Sequence, residues 1–310
     1  MIIERQEDVT PATLKELERA PNARFKEIMG AFIRHMHDFV RDSKLTEEEF
    51  RTALNYVVAL GKASNETHNE AVLIAGSLGI SSLVCLLNNT DGQTETDASL
   101  LGPFWRMGSP ITPKGGSIIR SPTPGPALFV DATFRNREGK PIEGAEVDIW
   151  HSSTEGFYEN QDPVQADMNL RGKFFTDKDG RIAFRSVKPA GYPIPIDGPT
   201  GELLRAQGRH NMRPAHLHFL ASKDGFKTLI SQIYVADDKF IDSDVQFGVT
   251  RHLIGNYVLH ENEKPPAGDV KGPWYSLRHD FVMDAGDSKL PRAPISGKAQ
   301  GERPKIPHLA

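Results

Sequence analysis

The sequence predicts an α+β protein: a helical N-terminal domain with its linker over residues 1–105, then an antiparallel β-sandwich with an extended C-terminal tail over residues 106–310. Three observations carry this. Apolar residues recur at three and four through the first part. A capping signature marks a helix start at Thr46. After Ala127 the period changes to two, and polar turns separate short runs.

Phe25, Ile28, Met29, Phe32, Ile33, Met36, Phe39 and Val40 form the apolar stripe of one helix. Thr46-Glu47-Glu48-Glu49 is a capping box, with Leu45 and Phe50 at the positions of a hydrophobic staple. A helix starts there and carries Phe50, Leu54, Val57, Val58 and Leu60. From Ala71 to Leu87 the chain is apolar on nearly every side, yet short and serine-diluted for a membrane span. It reads as one helix buried all round, whose Gly76 and Gly79 let another backbone close in, or which lines a subunit contact or pocket. Residues 88–126 form a linker with scattered Pro and Gly, and Leu100-Leu101-Gly102-Pro103-Phe104-Trp105 within it is apolar and aromatic.

Strands are expected at Leu128–Phe134, Ala145–Trp150, Arg181–Val187, Ala215–Ala221, Leu229–Val235 and Ser276–Met283. Turns such as Arg137-Glu138-Gly139-Lys140 and Asp177-Lys178-Asp179-Gly180 part them. The second faintly echoes a calcium loop but lacks the downstream glutamate, so a plain turn is expected. After Asp284 the Pro-, Gly- and Lys-rich chain should wrap the surface.

With 38% hydrophobic and 25% charged residues the composition is that of a soluble globular protein. A net charge of -4 gives no general attraction to nucleic acid or anionic membrane. One cysteine, Cys85, excludes an internal disulfide, and the first residues lack a signal-peptide pattern. A cytoplasmic protein, neither nucleic-acid-binding nor membrane-spanning, is expected.

His216 and His218 stand two apart in an expected strand, so both point one way while Leu217 and Phe219 point the other. Such a pair grips a metal from a rigid backbone or sits as two hydrogen-bonded histidines, and imidazole suits Zn, Cu, Fe and Ni alike. Spacing alone makes none of the six tyrosines a ligand. Arg213 falls on the face opposite His216 if the strand already runs there, though Pro214 breaks that register. By spacing alone Arg213 reads as half of a surface ion pair, and Gln232 is unremarkable.

Asp148-Ile149-Trp150-His151, Gly156-Phe157-Tyr158-Glu159-Asn160, Asn169-Leu170-Arg171-Gly172-Lys173, Gly191-Tyr192-Pro193-Ile194-Pro195, Gly208-Arg209-His210 and Arg213-Pro214-Ala215-His216-Leu217-His218-Phe219 occur in that order. Together they resemble the intradiol ring-cleaving dioxygenases, over most of the chain and most like the hydroxyquinol-cleaving group. The resemblance implies one non-haem Fe(3+) per subunit held by Tyr158, Tyr192, His216 and His218. It implies that Tyr192 leaves the metal when substrate binds while Tyr158 stays, that Arg213 faces the substrate, and that Gln232 supports the site. It further implies a substrate pocket of Leu73, Gly76, Gly102, Pro103, Phe104, Pro193, Ile194, Pro195 and Val245. A homodimer through the N-terminal helices is implied too, with a phospholipid at that contact in some members.

The chemistry fits that ligand set. Free tyrosine has a pKa of about 10. Holding two as phenolates at neutral pH takes a strong Lewis acid, so ferric iron fits better than Zn2+ or Mg2+. Two tyrosinates and a hydroxide balance its charge. An aromatic diol or triol would arrive as a dianion, its two protons going to hydroxide and Tyr192. O2 would then be inserted between the adjacent hydroxylated carbons, opening the ring to a cis,cis-muconate. By resemblance, Tyr192-Pro193-Ile194-Pro195 points to the hydroxyquinol and chlorocatechol enzymes over the plain catechol ones, and the length of the N-terminal part with the run Asp242–Val249 favours hydroxyquinol (1,2,4-trihydroxybenzene), giving 3-hydroxy-cis,cis-muconate or maleylacetate. Gly76 stands where some hydroxyquinol enzymes carry an acidic residue. Catechol or chlorocatechol 1,2-cleavage is the alternative within the family. Outside it stand a zinc or ferrous enzyme needing a third His or a carboxylate, and a non-catalytic sandwich that binds a ligand.

Overall fold

The computed structural model describes residues 2–89 and 98–309. Residues 90–97, the start of the expected linker, lie outside the described residues. The chain divides into two compact units, which part between Val58 and Ala59.

In the first unit α1 (Gln6–Leu17) packs on α2 (Ala23–Ser43), and α3 (Glu47–Ala63) begins there and ends in the second. Asn22 caps α2 by accepting the Phe25 N–H at 2.8 Å. The capping box forms: the Thr46 N–H donates to Glu49 at 2.9 Å and the Glu49 N–H to Thr46 Oγ1 at 3.3 Å. The stripe that the spacing predicts is present on α2, yet Phe25, Ile28, Phe32, Met36, Phe39 and Val40 are all exposed in the single chain. So are Phe50, Leu54, Val57 and Val58 of α3.

In the second unit, the single buried helix expected over residues 71–87 is two helices, α4 (Glu70–Ser77) and α5 (Ile80–Asn89), bent by 76°. Gly79, at φ 72°, makes the break, a conformation open to glycine and costly for other residues. Only α4 is buried, through Glu70, Leu73, Gly76 and Ser77. No residue of α5 is buried, and Ile80, Leu83, Val84 and Leu87 are exposed. Apolarity on every side thus belongs to two short helices with different surroundings. Among the described residues no single helix is long and apolar enough to cross a membrane.

The strands are β1 (Ala127–Arg135), β2 (Glu146–Trp150), β3 (Arg171–Phe175), β4 (Arg181–Val187), β5 (Tyr192–Pro193), β6 (Met212–Arg213), β7 (His216–Ser222), β8 (Leu229–Val235), β9 (Ile254–Gly255), β10 (Tyr257–His260) and β11 (Trp274–Val282), with α6 (Pro199–Ala206) between β5 and β6. One sheet has the order β10-β11-β1-β4 and the other β3-β2-β7-β8-β9, while β5 and β6 form a small ribbon. Most pairs are antiparallel, but β1 lies parallel to β11 and β8 to β9. The sheets close on a core that includes Val130, Phe134, Ile149, Phe184, Leu217, Phe219, Ile233 and Phe281. Phe281 of one sheet meets Phe219 of the other at 4.8 Å between ring centres. Leu217 and Phe219 therefore face the core, and His216 and His218 take the other face of β7, as strand alternation demands. The Asp177 to Gly180 segment is a plain turn, its Asp177 carboxylate accepting the Asp179 and Arg181 N–H groups at 2.9 Å each.

Glu70 joins α4 to α6. Its buried carboxylate accepts the Thr200 N–H at 3.1 Å and meets His68 Nε2 at 2.8 Å. Burial raises its proton affinity, but hydrogen bonds from His68 and Thr200 outweigh this and hold the pKa below 4.5. The unfolded chain then binds this proton more tightly, so Glu70 adds stability above pH 4.5 that is lost as pH falls through the folded value. Urea unfolding of the native chain and of Glu70→Gln should differ near neutral pH and converge on acidification. A gap that widens in acid would contradict the clamp.

Beyond Asp284 the tail is extended and tied down. Lys298 Nζ donates to the Asp162 and Gln165 carbonyls at 2.8 Å each, and Arg303 pairs with Asp162 and Glu155. Asn211 donates to the Pro307 carbonyl at 3.2 Å and accepts the Leu309 N–H at 3.0 Å.

Candidate metal centre

The site is built on the outer face of β7, which lies between β2 and β8. Register sets Trp150 and Gln232 on either side of His218, and Tyr234 beside His216. Trp150 stacks on the His218 ring at 4.5 Å and 9°. Tyr192 comes from β5, directly opposite Arg213 of β6. Tyr158 comes from the loop after β2, its N–H held by the Gln161 side chain at 3.1 Å. Gly156, at φ 82°, turns that loop where it passes the ribbon, in a conformation open to glycine and costly for other residues.

Four donor atoms from three segments converge. Tyr158 Oη lies 2.9 Å from His218 Nε2 and 3.3 Å from Tyr192 Oη. His216 Nε2 lies 3.0 Å from His218 Nε2. His216 Nδ1 faces the Pro214 carbonyl at 2.7 Å. A carbonyl only accepts, so Nδ1 carries the proton and Nε2 presents its lone pair to the centre. His218 Nδ1 is buried and, among the described residues, has no hydrogen-bond partner.

Burial pushes both imidazoles far below the usual histidine range, and neighbouring positive charge from Arg213 helps. Burial likewise raises both phenols, Tyr158 well above 10. Without a cation, therefore, the histidines are neutral and the tyrosines keep their protons. A strong Lewis acid among these oxygens and lone pairs reverses the second preference. The donor set fits such an ion, because it offers two oxygens able to become anionic and two neutral nitrogens. Among the described residues no cluster of three or more His, Cys, Asp or Glu is placed to hold a metal. A zinc or ferrous site of the usual kind thus lacks its third ligand.

Arg213 is placed differently from the alternation argument. It is 1% exposed, and its Nη1 lies 3.4 Å from His216 Nε2, on the same side. The chain leaves β6 at Arg213 and joins β7 at His216, so Pro214 and Ala215 break the alternation. Nor is it a surface ion pair. Its guanidinium donates to Asp244 at 3.0 and 2.9 Å, to Gln232 Oε1 at 3.0 Å and to Tyr234 Oη at 2.7 Å. Gln232 also donates to the Leu100 carbonyl, so it is held on both sides and aims Arg213. Asp244 and Tyr234 had no role assigned from the sequence. A lone Asp in a loop gives no signal until its partner is known.

A second buried cluster was also missed. Glu159 accepts from Arg171 at 2.7 Å and from Arg106 at 2.8 Å, anchoring the Tyr158 loop to β3. The only sequence hint was charge at Glu159 and Arg171 within otherwise buried runs.

Of the residues expected along the substrate, Leu73, Phe104, Ile194 and Val245 share one apolar cluster with both tyrosines. The Phe104 ring lies 4.6 Å from that of Tyr158. Pro103 is buried beside it. Gly102 approaches His218, where a Cβ would sit 3.4 Å from Cε1, and it lines a cavity of about 870 Å3. Gly76 abuts the Gln246 side chain, and Pro193 pairs with Met212. Pro195 borders a different cavity, of about 670 Å3.

Residues 102–285 match the family model described as Dioxygenase, and residues 22–96 match that of the catechol dioxygenase N terminus. This chain is an intradiol ring-cleavage dioxygenase. A hydroxyquinol 1,2-dioxygenase of Rhizobium sp. (strain MTP-10005) is 38% identical, over 90% of this chain and 95% of that one. A catechol 1,2-dioxygenase of Candida albicans is 35% identical, over 90% and 93%. The crystal structure of hydroxyquinol 1,2-dioxygenase from Pseudomonas putida DLL-E4 superposes with a TM-score of 0.81 at 34% identity, covering 91% of this chain and 99% of that one. Intradiol dioxygenases generally depend on non-haem iron. The helical N-terminal part and β-rich catalytic part of this dioxygenase match that fold.

Proposed function

We propose that this dioxygenase cleaves 1,2,4-trihydroxybenzene with O2, giving 3-hydroxy-cis,cis-muconate or its tautomer maleylacetate, and that Tyr158, Tyr192, His216 and His218 hold one ferric ion per subunit. The observation that supports it most is the approach of two phenol oxygens and two imidazole nitrogens to within 3.3 Å of their neighbours. When bound, ferric iron supplies Lewis acidity that makes an aromatic diolate reactive toward O2.

The residues do the rest. Tyr192 lies opposite Arg213 and takes up one proton from the arriving diol at its phenol oxygen. Arg213 stabilises negative charge that develops on the ring oxygens. It is neutralised by Asp244, so the pair adds no net charge against a cation. Gln232 positions Arg213 by accepting its Nη2–H. Trp150 fixes the His218 ring plane. Phe104, Ile194 and Val245 exclude water around the tyrosines.

A cytoplasmic homodimer belongs to this proposal. A single cysteine suits a reducing compartment. The exposed apolar stripes of α2 and α3 suit cover by a second subunit.

Oxygen uptake by iron-loaded enzyme on 1,2,4-trihydroxybenzene, catechol and chlorocatechols tests the substrate. The highest kcat/KM is expected for the triol. A higher value for catechol overturns the substrate and leaves ring cleavage standing, as the similarity to the Candida albicans enzyme would then suggest. Pure protein that takes up no iron overturns the metal centre.

A further inference from the structure

We propose that Gln246 is a specificity residue of this site, its side-chain amide binding a ring hydroxyl beyond the two at the cleaved bond. The inference rests on the reading above and names the contact that would select a triol.

Gln246 is 2% exposed, and among the described residues its Nε2 has no hydrogen-bond partner. A buried N–H left unpaired is destabilising, and a ligand oxygen arriving there removes the defect. The side chain borders the 870 Å3 cavity, whose lining includes Gly102, the glycine that approaches His218. Room for the amide comes from Gly76. A Cβ at that position would lie 2.7 Å from Gln246 Oε1 and 2.8 Å from its Cδ, so any larger residue displaces the amide.

The backbone of Gln246 is fixed at both ends. Its N–H donates to Asp244 Oδ1 at 3.1 Å, and its carbonyl accepts from Ser82 at 3.0 Å. Asp244 is the carboxylate that grips Arg213. The backbone that carries the amide is therefore tied to the carboxylate that holds the arginine. An amide both donates and accepts, which matches a neutral hydroxyl. Ring hydrogen or chlorine satisfies neither half.

The test uses the iron-loaded enzyme and two variants. Gln246→Met keeps length without the amide, and Gly76→Ala pushes the amide away. Each should lower the ratio of kcat/KM for 1,2,4-trihydroxybenzene to that for catechol by about tenfold, the equivalent of one hydrogen bond. Whatever catechol loses in either variant, the triol should lose more, since only its ring carries the third hydroxyl. Titration of the two ligands without oxygen should show the same shift in Kd ratio. An unchanged ratio, or equal loss on both ligands, overturns the proposal. The native enzyme's own preference is a separate readout. Native enzyme that favours catechol ends the substrate reading, while a variant-dependent ratio still assigns the amide its role.

Discussion

Tyr158→Phe should lose visible colour, release much of its iron and fall by more than about 100-fold in kcat, beyond what loss of a supporting residue around a metal costs. Only the phenol oxygen is removed. The ring stays packed against Phe104, and its loop stays anchored through Gln161 and the Glu159–Arg171 pair. Folding should therefore change by no more than about one hydrogen bond, roughly 1 kcal/mol. The colour is diagnostic because phenolate bound to ferric iron absorbs visible light, and neither a zinc site nor an empty sandwich does. Iron per subunit, the visible spectrum and urea unfolding would be measured on one preparation. Full iron content with unaltered colour and turnover would remove Tyr158 from the centre.

Arg213→Met should behave differently. It leaves the four donor atoms in place but strips the charge partner from Asp244, which is 5% exposed. Breaking a buried pair by removing one member costs about 3–5 kcal/mol. Loss of a preorganised positive group from the reacting oxygens costs about 100- to 1,000-fold in kcat. The two losses separate in Arg213→Met with Asp244→Asn. That double variant should regain much of the stability while kcat stays low. Recovery of both together would make Arg213 a structural residue alone.

How far the sequence reaches depends on whether a feature is local. The strand runs, the Thr46 capping box and the shared face of His216 and His218 follow from spacing of two, three or four, and the structure has them. The break at Gly79 was hidden because an apolar run reads alike whether straight or bent. The orientation of Arg213 was hidden because Pro214 and Ala215 interrupt the alternation that would have fixed it. The Arg213–Asp244 and Glu159–Arg171 pairs join loops and strands that only the fold brings together, so no periodicity announces them. The two tyrosines were legible through resemblance, since spacing gave no reason to join Tyr158 to Tyr192.

The parallel pairing of β1 with β11 has a consequence for biosynthesis. The strand that opens the sandwich finds one of its two neighbours among the last strands to be made. Until β11 emerges, one edge of β1 has bare amides and carbonyls, and Val130 and Phe134 lack their cover. Pairings of such sequence separation form slowly, and the waiting intermediate is prone to associate with other nascent chains. Yield from cells should thus respond to growth temperature and chaperone supply more than the finished protein's stability alone would suggest.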